Sequence, residues 1–118
     1  GMGALGLPGD LSSSSRFIKA AFIRAKSNYT GKSSEDISQF FHIMSSIEQQ
    51  KGACEVREGE YEYTIYSSCC DLSNGVYYYK TYDNHRITGV DMFTEELDGT
   101  SVITYPMIDE SLPLMQNR

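Results

Sequence analysis

The 118-residue chain has no tryptophan, only three prolines and three cysteines, and fewer basic residues than acidic ones, ten against sixteen. Each scarcity excludes something. A formal charge of −6 repels a phosphate backbone, so no nucleic-acid partner is expected. Three cysteines cannot all pair within one chain, and a bond between the adjacent Cys69 and Cys70 would close a strained ring. Reduced thiols fit a reducing compartment, which makes the cytoplasm the expected location. Cys54, Cys69, Cys70, His42 and His85 follow no zinc spacing, so neither a metal nor another cofactor is expected. No apolar run approaches a bilayer span, and the first residues lack a basic region followed by an apolar core, so no membrane partner or secretion signal is expected. What remains, 40% hydrophobic and 22% charged, is ordinary composition for one globular unit.

Four glycines and one proline among residues 1–10 predict an extended loop over about 1–15. A helix should start from the serine run 12–15, whose hydroxyls can accept from unpaired backbone N–H groups, and carry Phe17, Ile18, Ala21, Phe22 and Ala25 as an apolar stripe. Residues 28–31 should end it. A second helix should open on Ser33 and Asp36, spaced as a capping box, with Ile37, Phe40, Phe41, Met44 and Ile47 on one face and Gly52 as terminator. The two helices together are expected within residues 16–50.

From residue 60 the usage shifts to Tyr, Thr, Ile and Val, broken by turn-forming clusters at 71–75, 83–85 and 98–99. This predicts a four-stranded antiparallel meander over 61–68, 76–82, 86–93 and 101–105, with Asn74 and Gly75 closing the first hairpin and an irregular tail over 106–118. The fold class is therefore α+β, two helices packed on an antiparallel β-meander. Val76, Tyr77, Tyr78 and Tyr79 do not alternate with polar residues, so both sheet faces call for cover. Either the chain is part of something larger, or tyrosine hydroxyls reach water from a half-exposed face.

Most motif-like strings have bland explanations. Gly1, Gly3 and Gly6 satisfy G-x-G-x-x-G, but no strand precedes them and Pro8 follows where a helix should begin. The serine run has no nucleophile elbow, Asn28-Tyr29-Thr30 is a polar helix exit, and His42 and His85 lack local partners. Cys69 and Cys70 read as small buried hydrophobes. Arg16 differs. A guanidinium at a helix start works against the local dipole, which points to a partner elsewhere, such as a carboxylate or a thiolate. A solvated surface arginine is the alternative.

The blocks Gly3 to Asp10, Ser12-Ser13-Ser14-Ser15-Arg16-Phe17 and Gln39-Phe40-Phe41-His42-Ile43, followed by 61–70 and 75–84, resemble the choloylglycine hydrolase family, and its bile salt hydrolase branch in particular. The resemblance runs to about Tyr105. It implies the C-terminal part of an N-terminal-nucleophile hydrolase, an αββα sandwich that cleaves the amide linking a bile acid to glycine or taurine; penicillin V acylases are close kin. In such enzymes an N-terminal cysteine attacks the amide carbonyl, and its own α-amino group can act as base. The resemblance maps a catalytic arginine onto Arg16, beside that nucleophile. It gives no role to the internal Cys54, Cys69 and Cys70, and Asp10 and Asn84 are expected to support loops. The resulting expectation is a C-terminal fragment, inactive alone, whose full-length form takes conjugated bile salts. Its uncovered faces favour a homo-oligomer; the alternatives are a non-enzymatic oligomerising module or a fragment of a penicillin V acylase.

Overall fold

The computed structural model describes residues 3–118; Gly1 and Met2, where the glycine-rich string begins, lie outside the described residues. The chain divides into two compact units, Gly1–Thr64 and Ile65–Arg118.

The first unit holds both helices. α1, Ser13–Lys26, starts earlier than the loop expected over 1–15 allows, because Ser12 is the N-cap and its hydroxyl accepts from the Ser15 N–H at 3.3 Å. Ser27 caps the other end, its N–H donating to the Arg24 carbonyl at 3.3 Å, and Arg24 and Lys26 suit the negative end of the dipole. α2, Ser33–Ser45, is not opened by the expected capping box. Its N-cap is Lys32, and the Asp36 carboxylate instead reaches back to the N–H groups of Thr30 and Gly31, at 2.9 and 3.1 Å. The helix also stops well before Gly52, which turns at φ +94° between the helix and the next strand.

α2 supplies the first unit's apolar core: Phe41 is 4% and Ile43 6% exposed, with the Phe40 ring edge-on to Phe41 at 5.5 Å between centroids. The stripe predicted on α1 is not buried, and Phe17 is 75% exposed. A short hairpin follows, β1, Cys54–Arg57, paired antiparallel with β2, Glu60–Glu62, around Gly59 at φ +77°. β1 lay outside the expected strand set because, at four mostly exposed residues, its alternation is too short to stand out.

The second unit is a three-stranded antiparallel sheet of β3, Tyr66–Asp71, β4, Val76–Thr81, and β5, Thr88–Asp91, in that order. The strand expected over 61–68 therefore splits between two sheets, and the meander has three strands rather than four. Residues 72–75 form the loop between β3 and β4, so Asn74 and Gly75 close this hairpin as expected. Asn74 stays out of the left-handed region and bonds back to Asp71. Gly75 does enter it, at φ +66°, and a Cβ there would meet the Phe93 ring at 2.5 Å.

Residues 101–105 are not a strand. Asp91 accepts from the Phe93 N–H at 2.9 Å and ends β5 in a 3-10 turn, Met92–Thr94. The later chain is held by side chains instead of a ladder. The Tyr105 hydroxyl bonds to Glu95, and the Ile108 N–H donates to the Tyr79 hydroxyl at 2.9 Å. The Asn84 carboxamide donates to the Ile108 carbonyl at 3.1 Å. Tyr79 is the buried hydrophobic residue of this unit.

Candidate functional site

The first unit brings the glycine-rich loop, the start of α1 and the end of α2 around a concavity of about 240 Å³, lined by Gly9, Asp10, Arg16, Lys19, Ile47 and Glu48 among others. Arg16 sits in the first turn of α1, half-buried, with its N–H donating to the Ser12 carbonyl at 3.0 Å. Its Nε donates to the Ile47 carbonyl just beyond α2, at 3.0 Å. The partner is thus a backbone carbonyl, neither a carboxylate nor a thiolate. The negative end of α2 offsets the unfavourable position at the start of α1. The terminal guanidinium nitrogens make no hydrogen bond or ion pair with any described residue. Arg16 is thereby held at one atom while its fork of donors stays open, an arrangement suited to an anionic or developing negative oxygen, or to lowering the pKa of a thiol brought beside it.

Asp10 frames the loop. Hydrogen bonding from the Ser12 side chain, then from the Ser15 hydroxyl, then from the Ser12 N–H lowers its carboxyl from 3.8 to about 2. The Ser15 hydroxyl lies 2.6 Å from one carboxylate oxygen and the Ser12 N–H 2.8 Å from the other. The serine run therefore works as a cap and loop clamp. Gln49, which carried no signal in a polar stretch following a helix, is buried and donates to the Leu11 carbonyl at 3.3 Å.

The remaining candidates stand apart from this arrangement. His42 and His85 are exposed. Cys54 lies on β1, its thiol 3.9 Å from a Glu62 carboxylate oxygen. Cys69 is half-buried, and burial, then the neighbouring Cys70 and Asp71, push its thiol pKa up, which disfavours thiolate. Cys70 is exposed rather than a buried hydrophobe, since its side chain falls on the opposite sheet face from that of Cys69. All three cysteines are free thiols. Asn84 is 1% exposed and ties the loop after β4 to Ile108 and to the Arg86 N–H. Among the described residues no group of three or more His, Cys, Asp or Glu could hold a metal ion, and no helix is long and apolar enough to cross a membrane.

Residues 1–105 match the model of the linear amide C–N hydrolases, the class to which the choloylglycine hydrolases belong. Within it, the chain belongs to the choloylglycine hydrolase family. It is 60% identical over 111 residues to the bile salt hydrolase/transferase of Lactiplantibacillus plantarum, covering 94% of this chain and 34% of the relative. A variant of the conjugated bile acid hydrolase from Clostridium perfringens matches all of this chain and 36% of its own, at TM-score 0.84 and 34% identity. The penicillin V acylase of Agrobacterium tumefaciens shares the fold at TM-score 0.65 and 18% identity, covering 77% of this chain and 29% of its own. The chain thus spans about a third of the length of the relatives it matches. The two helices and antiparallel strands are part of an α+β sandwich.

Proposed function

We propose that this chain is a segment of a bile salt hydrolase that cleaves the amide of glycine- or taurine-conjugated bile acids, and that Arg16 is its contribution to the active site. The single observation that carries the reading is the anchored but open guanidinium within the Ser-Arg-Phe block of a chain 60% identical to a bile salt hydrolase/transferase. In the proposed reaction a cysteine lying outside these 118 residues attacks the amide carbonyl through its sulfur, with its α-amino group as base. The tetrahedral oxyanion collapses to a thioester as glycine or taurine departs with a proton, and water releases the bile acid. Arg16, always charged, favours the thiolate and orients the polar groups around it. The segment alone is inactive, because Cys69 is disfavoured as a thiolate and none of its cysteines is bonded to Arg16. The free thiols fit a cytoplasmic enzyme.

Arg16→Ala in the full-length enzyme should lower kcat for amino-acid release about a hundredfold or more while leaving the circular dichroism spectrum unchanged. Near-normal turnover would reduce Arg16 to a structural residue. A second reading, a self-associating module, is favoured by one observation, the exposed Phe17, Ile18 and Phe22 of α1, on which a second copy could sit.

A further inference from the structure

Both ends of Arg16 depend on one short segment. Its Nε is held by the Ile47 carbonyl at 3.0 Å, and its backbone N–H by the Ser12 carbonyl, also at 3.0 Å. The residue before Ser12 is held in turn, because the Gln49 carboxamide donates to the Leu11 carbonyl at 3.3 Å, across 38 positions of sequence. Residues 47–49 therefore fix the guanidinium through one carbonyl and the entrance of α1 through one side chain.

Gln49 is itself immobilised. It is 7% exposed, and a polar side chain so placed is costly unless bonded. Its backbone closes a reciprocal pair with Thr64, the Gln49 N–H donating to Thr64 Oγ1 at 2.9 Å and the Thr64 N–H to the Gln49 carbonyl at 3.0 Å. The hairpin β1–β2, which ends two residues before Thr64, thereby becomes a buttress for the loop that precedes Arg16.

We propose that Gln49 is a positioning residue for Arg16, aiming its open donors by locking the Leu11 carbonyl to the segment that already holds its Nε. The proposal rests on the reading of Arg16 as catalytic. A small displacement of a donor fork costs far more in turnover than in stability. A residue acting through Arg16 can have no effect once Arg16 is gone, whereas a merely structural residue lowers activity in either background.

The test is a double-mutant cycle in the full-length hydrolase, reading glycine release from a glycine-conjugated bile acid. Gln49→Met, which keeps length and removes the donor, should lower kcat roughly tenfold with KM changed less than about twofold. In an Arg16→Ala background the same substitution should cost nothing further. Losses that multiply, or an unchanged kcat in folded Gln49→Met, would overturn the proposal. If Gln49→Met does not fold, Thr64→Val removes the acceptor of the Gln49 N–H at nearly constant shape. A lower kcat that vanishes as an effect in the Arg16→Ala background then supports the proposal, and multiplying losses or an unchanged kcat overturn it. An unaltered kcat in Arg16→Ala alone would bring down the catalytic reading itself, and the role of Gln49 with it.

Discussion

α1 and α2 have nearly the same length, 14 and 13 residues, and each carries an apolar stripe at helical spacing, yet they meet opposite fates. α2 buries Phe41 and Ile43, while α1 leaves Phe17, Ile18 and Phe22 exposed and buries only Ser15. The difference shows what amphipathic patterning encodes. A stripe says that a helix has something to lie against, but not whether that surface belongs to the same hundred residues. Polar contacts do the local work on α1: Ser12 caps it, Ser15 binds Asp10, and Arg16 reaches the end of α2.

The contrast can be broken at three points. Phe41→Ala removes a core ring and should destabilise the chain by about 3–5 kcal/mol in urea unfolding. A loss below about 1 kcal/mol would mean that α2 is no better anchored than α1. The next effect is smaller and depends on pH. Asp10 holds its proton less tightly folded than unfolded, at about 2 rather than 3.8. Its stabilising contribution is therefore present above about pH 4 and lost as pH falls towards 2. Asp10→Asn should remove that part of the acid transition while changing the pH 5 to 7 plateau little in slope; identical acid profiles would dissociate the clamp from α1. Phe17→Ser should have the smallest effect on stability, within about 0.5 kcal/mol, because the ring is already in water. In light scattering the same substitution should shift any self-association of the chain towards monomer. A large drop in Tm without such a shift would show that α1 is packed within its own unit after all.

Much of this was legible from residues, and the losses have physical causes. Helix existence followed from spacing, and the α1 cap from the serine run, because both are local. The α2 cap was misplaced because an aspartate three residues after a serine can as easily accept from the two N–H groups before the helix. The hairpin β1–β2 left little periodic trace, since strands of four and three residues are too short for their alternation to stand out. Residues 101–105 have strand composition but come after the 3-10 turn that ends β5 and pair with no strand, so tertiary placement overrides propensity. Within the site, Arg16 could be singled out because it opposes a dipole. Its partner could not, since a main-chain carbonyl is the same at every position, and Gln49 looked like any solvated glutamine in the expected last turn of the second helix.

The strap that crosses the sheet at Ile108 has a practical corollary for where this polypeptide can be cut. The match to the family model stops at residue 105, whereas the likeness to the Lactiplantibacillus plantarum relative extends over 111 residues, and Ile108 is the residue that occupies the amide of Asn84 and the phenol of Tyr79. Trimming at residue 105 would orphan two sheltered polar groups at once. A cut at that point would fall inside the cooperative structure, not at its edge.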